Sequence, residues 1–246
     1  MERKSFVGHL EDLRGCVLKS VIGLVVGVVV SFVFVSFILE FLSRPYFDYL
    51  SSQGLSTTMA LRSLSPADTL LVTLKAAILF GLGLVSPWIA YQLWRFVSPA
   101  LYKNEKKRAV IFCAFVVAFF LIGLAFAYFV VLPVAIRFFY EYTTRMGIAP
   151  DWAIANYYGL VITFMACFGI IFELPVAVTI LTWLGIITPQ ELTRYRKHAI
   201  VGIFIVAALV TPPDVITQFM MGIPMIALYE VSILASKVID RGRNKM

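Results

Sequence analysis

Charged residues are scarce in this chain, and their scarcity indicates its class. Only 14% of its 246 residues are Asp, Glu, Lys or Arg, whereas 61% are hydrophobic. A soluble domain is nearer a quarter charged and half apolar. No segment is long or polar enough to form a separate soluble domain. The composition therefore predicts a polytopic membrane protein in which residues 1–246 form a single membrane domain.

The residue patterns of common enzymes are also missing. The sequence has no Gly-x-x-x-x-Gly-Lys-Ser/Thr loop for nucleotide phosphates, no His-Glu-x-x-His and no Gly-x-Ser-x-Gly. His9 and His198 are the only histidines, and the three cysteines have no metal-site or redox-pair spacing. No nucleophile can be paired with a base. We expect neither catalysis nor a bound cofactor or metal.

Long apolar runs are the main feature that is present. A helix that crosses the hydrocarbon core of a bilayer needs about 20 mostly apolar residues. The sequence predicts an all-α protein with six transmembrane helices, the last two short, at residues 20–42, 69–94, 109–136, 157–184, 198–211 and 213–236.

The fifth predicted span is too short for a full crossing. Only 14 residues separate Lys197 from Pro212, which is about 21 Å of helix against a core of about 30 Å. Pro212 ends the fifth helix, and Pro213 suits the first turn of the next. We expect a tight helical hairpin whose tip stops below the far surface, or a locally thinned bilayer.

The basic residues predict the orientation of the chain. With six crossings, one side of the membrane carries 16 of the 21 Lys and Arg, in the segments 1–19, 95–108, 185–197 and 237–246. We call this the basic side. Basic segments favour the cytoplasm, so both termini are expected on the cytoplasmic side. The membrane that the chain crosses is expected to be the inner (plasma) membrane of the cell. The net charge of +7 then reflects topology and contact with anionic membrane lipids rather than binding of nucleic acid.

Acidic residues occur in three segments near helix ends. In HLEDLR, residues 9–14, the two acids would be stabilised by the dipole at the start of the first helix. In SPALYKNEKKR, residues 98–108, Glu105 lies among basic residues. A charged side chain exposed to water in a loop would be sufficient to explain it. In TPPDVITQ, Asp214 is placed to cap the sixth helix, with Gln218 one turn further on. Each segment, taken alone, has this ordinary structural explanation.

A fourth acid lies deep in the membrane. Glu173, in FGIIFELPVAV, is about 11 residues from the predicted end of its span and therefore near mid-membrane. A charge there costs at least about 2.5 kcal/mol, so the acid needs a partner, a watery pocket or a proton. Pro175 frees a backbone carbonyl in the preceding turn and can kink the helix. The alternatives are a protonated acid bonded to a neighbouring span and a functional polar group on a concave face.

Taken together and in order, four blocks resemble one family. They are HLEDLR, SPWIAYQLWRFVSPALYKNEKK (86–107), FGIIFELPVAV and RKHAIVGIFIVAALVTPPDVITQ (196–218). The chain is similar to the TatC family, the receptor subunit of the twin-arginine protein translocase, from about His9 to Lys237. The resemblance implies a glove-like, concave arrangement with both termini in the cytoplasm.

The resemblance also implies a function and its partners. Folded precursor proteins with twin-arginine signal peptides would dock on the cytoplasmic side. Single-span TatA and TatB subunits, and other copies of the same chain, would complete the complex. The proton-motive force would drive export, which agrees with the missing nucleotide-binding loop.

Individual residues carry over from the family motifs. Asp12 and Glu105 match the acids that bind the signal peptide, and Glu11, Arg14 and Phe96 belong to the same region. Within the membrane, the resemblance implies polar or partner contacts at four further positions, namely Glu173, Gln218, Asp214 and Pro45. Asp12 stands where the family usually has glutamate, and Glu11 stands where it usually has no acid. The N-terminal contact is therefore made by Asp12 alone or by Glu11 with it.

Two other classes of function compete with the receptor. A secondary transporter would use Glu173 as its proton or substrate site, although no internal repeat of the kind common in transporters is visible. A structural scaffold would only gather other membrane subunits. A transporter should bind its solute when purified alone, and a receptor should crosslink to twin-arginine precursors. A scaffold should do neither.

The predicted topology can be tested by cysteine labelling. In a variant without its native cysteines, Ser52→Cys and Gly147→Cys should react with an impermeant maleimide added outside, because both segments lie opposite the basic side. Asn104→Cys and Arg243→Cys should react only after permeabilisation. Labelling of Arg243→Cys from outside would refute the terminal hairpin.

Overall fold

The structure is a computed structural model that describes residues 6–54, 61–97, 106–211 and 214–243. The side chains of residues 6–10, 12, 96–97, 106–112 and 242–243 lie outside that description. Across the described ranges the regular structure is helical, apart from one isolated bridge between Arg62 and Ala153. The prediction of an all-α fold is confirmed.

The helices differ widely in length. The described part contains α1 Phe6–Val33, α2 Val35–Ser52, α3 Pro66–Val97, α4 Lys106–Phe126, α5 Leu132–Arg145, α6 Ile154–Ile171, α7 Leu174–Trp183, α8 Pro189–Arg194, α9 Arg196–Val210 and α10 Val215–Arg243. A π-helical turn, Ala127–Val131, joins α4 to α5. It ends two residues before Pro133, which has no N–H with which to continue the regular ladder.

Five stretches among the described residues are long and apolar enough to cross a membrane, which confirms a multi-pass membrane protein. They are Leu13–Val33, Pro66–Arg95, Cys113–Arg145, Ile154–Trp183 and Val215–Arg241. Helix α9 has 15 residues, about 22 Å of helix, and is as short as the sequence predicts. Helix α10 has 29 residues, so the prediction that the last two spans are both short is wrong for the sixth, because the helix continues past the apolar run to Arg243. The count of six spans, the glove-like arrangement and the single domain over residues 1–246 stay predictions.

The first span lies earlier than the sequence predicts. Helix α1 ends at Val33, and the predicted span 20–42 continues into α2. The break is a single turn, in which the Phe34 N–H donates to the Ser31 carbonyl at 3.1 Å and the Ile38 N–H donates to Phe34. The hydrophobic residues on both sides of Phe34 suit hydrocarbon equally well, so the apolar run gives no signal for such a turn.

The contacts divide the chain into two compact units. The first unit consists of Met1–Leu42 and Ser65–Ala118, and in it α1 packs along α3. Glycine allows the two backbones to approach, since a Cβ on Gly81 would lie 2.7 Å from the backbone nitrogen of Val28. The Trp88 indole N–H also donates to the Lys19 carbonyl at 3.2 Å.

The second unit consists of Ser43–Leu64 and Phe119–Met246, and α6 lies in its core. Phe168 of α6 is fully buried, and Phe126 packs its ring 5.5 Å from the Phe168 ring. A Cβ on Gly123 would lie 2.5 Å from the Phe168 carbonyl oxygen. Glycine at this position therefore fixes how closely the two helices approach.

An aromatic and polar cluster in the second unit joins helix α2, the segment around Arg62 and the start of helix α6. These segments are predicted to lie opposite the basic side. Tyr46 is 1% exposed, and its ring lies 5.2 Å from Trp152 and 5.4 Å from Tyr157. The Arg62 N–H donates to the Trp152 carbonyl at 3.1 Å, and the Arg62 side chain pairs with Asp151 at 3.1 Å. Tyr46 lies on α2, which continues to Ser52.

Candidate functional site

The predicted site residues fall into two groups along the chain. Glu11, Asp12, Arg14 and Phe96 belong to the chain ranges of the first unit. The intramembrane residues all belong to the second unit, at Pro45, Glu173, Asp214 and Gln218. Glu105 lies outside the described residues. The two groups therefore form two candidate sites, and each has its own geometry.

The N-terminal acids are not placed where the helix dipole would explain them. Helix α1 begins at Phe6, and its first turn contains no acidic residue. Glu11 and Arg14 are exposed one to two turns further along. A helix dipole acts mainly on the first turn, so the dipole explanation of HLEDLR is wrong. Asp12 lies on the same helix, and Phe96 lies on α3. The side chains of both residues are outside the described part of the structure.

Sequence reasoning missed one polar residue near this group. Gln92, on α3 one turn before Phe96, is 1% exposed. Among the described residues no group hydrogen-bonds to its buried Oε1 atom. The sequence did contain a signal, because a glutamine inside an apolar span needs a hydrogen-bond partner there. The aromatic side chains of Trp88 and Tyr91, which lie on the same helix, are about half exposed.

Glu173 lies at a break in its span. Helix α6 ends at Ile171 and α7 begins at Leu174, so Phe172 and Glu173 form the turn between them. The break is the one that Pro175 predicts, because proline cannot donate to the carbonyl four residues earlier. Glu173 is ten residues before the end of the span at Trp183, or about 15 Å.

The Glu173 carboxyl group is partly withdrawn from solvent. Its Oε1 atom is buried, and no hydrogen-bond partner for it exists in the described part of the chain. The preceding residue, Phe172, is buried against Phe126, with ring centroids 5.4 Å apart. The alternative in which Glu173 bonds to a neighbouring span is not seen among the described residues. Two possibilities are left: a proton removes the charge of the carboxyl group, or a second molecule supplies the hydrogen bond.

Asp214 caps helix α10, as its sequence position predicts. One carboxylate oxygen accepts the Thr217 backbone N–H at 2.8 Å, and the other accepts the Thr217 hydroxyl at 2.6 Å. Thr217 is fully buried. The cap therefore gives the Thr217 N–H a hydrogen-bond acceptor at the buried start of α10, where an N–H without an acceptor would be costly.

Gln218 fastens the terminal hairpin. Its side-chain amide donates to the Phe204 carbonyl of α9 at 3.0 Å. The rings of Phe204 and Phe219 meet at 5.1 Å beside this bond. The predicted pairing of the last two helices is confirmed by these contacts. This hydrogen bond to α9 uses the side-chain NH₂ group of Gln218 inside the hairpin.

Pro45 lies within helix α2 and is buried. It adjoins Tyr46, whose ring forms the centre of the aromatic cluster with Trp152 and Tyr157. Proline in a helix interior removes one backbone donor and restricts φ. In this structure Pro45 thus helps to place Tyr46, and its contact with a partner stays a prediction.

Comparison with known proteins gives a match along nearly the whole chain. A family model described as Sec-independent protein translocase protein (TatC) matches residues 8–224. The chain is 34% identical over 239 residues to the Sec-independent protein translocase protein TatC of Aquifex aeolicus (strain VF5), covering 97% of each. It is 36% identical over 245 residues to the protein of the same name from Escherichia coli (strain K12), covering 99% of this chain and 93% of the relative.

Two solved structures are also similar. One is a crystal structure of a twin-arginine translocase receptor, TatC, with a TM-score of 0.82 and 35% identity; the match covers 94% of this chain and 99% of that one. The other is the receptor TatC in DDM, with a TM-score of 0.83 and 35% identity, covering 92% and 98%.

The capping role of Asp214 predicts an asymmetric response to substitution. Asp214→Ala removes both acceptors of Thr217 and should lower stability by about 1 kcal/mol, or roughly 2–4 °C in thermal midpoint. Asp214→Asn keeps an acceptor oxygen and serves as the matched control. Thermal unfolding of both variants in detergent checks this. If Asn were as destabilising as Ala, the carboxylate charge rather than the cap would be the requirement.

Proposed function

Because this chain belongs to the Sec-independent protein translocase protein (TatC) family, we propose that it is a receptor for twin-arginine signal peptides. It binds the signal peptides of folded precursor proteins on the cytoplasmic side of the membrane. The near full-length match to solved receptors of this family carries the proposal. The protein is thus a multi-pass component of a protein translocase.

The proposed orientation follows from charge. Both termini lie in the cytoplasm and the chain crosses the inner membrane six times, with α9 and α10 as the final hairpin. The concentration of 16 of 21 basic residues on one side supports this arrangement. The shortness of α9 and its hydrogen bond from Gln218 support the hairpin.

Two carboxylates, Asp12 and Glu105, are proposed to hold the arginine pair. Each guanidinium group is a planar fork that forms two parallel hydrogen bonds with one carboxylate. The basic side as a whole repels a cationic peptide, so local acids favour the correct ligand over other basic segments. Lysine is a point charge and fits a carboxylate less well. The exposure of Glu11 and Arg14 on the same helix supports an accessible binding surface.

A second site within the membrane is proposed for a helix of a partner. Glu173 provides the polar contact, because its buried Oε1 has no hydrogen-bond partner among the described residues. Single-span TatA and TatB subunits and the signal peptide itself are the proposed occupants. An unpaired carboxylate at this depth is costly, so Glu173 is proposed to be neutral until an occupant arrives.

The energy for export is proposed to come from the proton-motive force. The sequence contains no phosphate-binding loop of the P-loop type. The proposed role of this chain is to bind the signal peptide and to organise the TatA and TatB partners and further copies of itself.

Signal-peptide affinity tests the recognition site. Glu105→Gln and Asp12→Asn should each weaken binding about tenfold or more, since loss of a charged hydrogen-bond partner costs about 1.5–3 kcal/mol. Binding is measured on purified protein with a labelled twin-arginine peptide. Asp240→Asn, which removes an acid from the basic side, is the control and should leave affinity unchanged.

The outcomes of this experiment separate the N-terminal acids. If Asp12→Asn has no effect and Glu11→Gln weakens binding, the contact lies one residue earlier. Unchanged affinity in both single variants and in the Asp12/Glu105 double variant would refute the assignment. A peptide with both arginines replaced by lysines should bind weakly to every variant.

Transport by four variants tests the neutral state of Glu173. Glu173→Gln keeps shape and hydrogen bonding and should retain much of the transport activity. Glu173→Ala loses the polar contact and should transport less well. Glu173→Lys and Glu173→Arg should be the most impaired, because each buries a cation. Rates are compared at matched membrane levels. Were Gln as inactive as Lys, ionisation of Glu173 would be required and a proton-relay role would replace this one.

A further inference from the structure

A cavity of about 590 Å³ opens at the end of the second unit that belongs to the basic side. It lies between the short helix α8 and the last turns of α10. None of the residues assigned above to signal-peptide or partner contacts lines it. Its volume lies within the range of about 300–1,000 Å³ that is typical of small-ligand sites.

The lining of this cavity is positively charged. Helix α8 contributes Arg194 and the amide of Gln190, and α10 contributes Lys237 and Arg241. One carboxylate, Asp240, also lines the cavity, so that the lining has a net charge of +2. Arg194, Lys237 and Arg241 are all exposed, and thus accessible to an anion.

The two walls of the cavity are fastened to each other. The Tyr229 hydroxyl of α10 donates to the Leu192 carbonyl of α8 at 2.8 Å. Arg196, the first residue of α9 and two residues after α8, pairs with Glu230 of α10, with an Nη2–Oε2 distance of 2.9 Å and an Nε–Oε1 distance of 2.9 Å. These contacts hold the basic side chains of both helices around one space before any ligand binds.

Helix α8 is itself held in place at its start. The Thr188 hydroxyl accepts the Glu191 N–H at 3.3 Å, while the Glu191 carboxylate accepts the Thr188 N–H at 2.8 Å. This reciprocal capping box fixes the entry to a helix of only six residues. It also occupies the Glu191 carboxylate, which does not line the cavity.

Apolar side chains continue from the cavity toward the membrane. Leu234 and Val238 are 60% and 71% exposed, and their spacing to Arg241 places all three on one face of α10. A ligand with its anionic end at Arg241 would extend its apolar end along this face. A water-soluble anion has no apolar part that could pack on this surface, whereas the acyl chains of a lipid can pack on it.

We propose that this cavity binds the phosphate-bearing headgroup of an anionic phospholipid. Arg194 and Arg241 supply guanidinium forks for phosphate oxygens, and Lys237 supplies a point charge. Basic pockets between membrane helices on the cytoplasmic side suit such headgroups. The bound lipid bridges α8 and α10 at the cytoplasmic end of the hairpin.

Lipid binding by the purified full-length protein tests this inference. Native mass spectrometry in detergent should show phosphatidylglycerol bound at least tenfold more tightly than phosphatidylcholine. The Arg194→Gln/Arg241→Gln double variant should lose that preference, whereas Lys19→Gln/Lys197→Gln, which removes two charges from the same side away from the cavity, should keep it. Equal losses in both double variants would mean general surface attraction and would overturn the proposal.

Two further arms identify the ligand and guard against misfolding. Asp240→Asn raises the net charge of the lining to +3 and should tighten phosphatidylglycerol binding a few-fold, a gain that a misfolded protein would not show. Unchanged or weaker binding would contradict the electrostatic account. Inorganic phosphate and glycerol 3-phosphate should fail to displace the lipid at millimolar concentration. Displacement by either would assign the site to soluble phosphate instead.

Discussion

A polar group inside hydrocarbon needs a partner, and this requirement governs the second unit of the protein. The helices satisfy their own backbone groups, but every interruption and every polar side chain must be satisfied individually. Asp214 caps the buried start of α10, and Gln218 uses a backbone carbonyl of α9. Nearer the basic side, the buried hydroxyls of Thr182 and Ser236 meet at 2.8 Å and join α7 to α10. The Gln218 bond thus holds α10 to α9, which is too short to cross the hydrocarbon core by its own length.

Two buried polar atoms have no hydrogen-bond partner among the described residues. A second molecule that binds inside the membrane is the partner that we propose for them. The Oε1 atoms of Gln92 and Glu173 are buried and have no hydrogen-bond partner in the described part of the chain. Both residues lie in sequence blocks that resemble the family of translocase receptors. A receptor that captures a helix inside the membrane needs polar groups that the resting protein leaves open. We propose that these two polar atoms are contacts for a helix that binds inside the membrane.

Features that depend on composition and spacing were predictable from the sequence. The apolar runs indicated the long helices, the prolines at 212 and 213 indicated the hairpin, and Pro175 indicated the break beside Glu173. Features that depend on one hydrogen bond or on contact between distant segments were not. The turn at Phe34 rests on a single bond to Ser31. The cavity beside α8 lies between segments that are distant in sequence, where Tyr229 bonds to Leu192 of α8 and Glu230 pairs with Arg196 of α9.

Acids on the cytoplasmic side are proposed to recognise the arginine pair of a signal peptide. A photoreactive residue placed in the peptide beside the two arginines leaves the receptor unaltered, and its crosslinks can be mapped by mass spectrometry. We expect crosslinks to residues 9–14 and 98–108, and their loss when both arginines are replaced by lysines. Crosslinks that persist with lysines, or that map to residues 43–68 or 137–158, would contradict it.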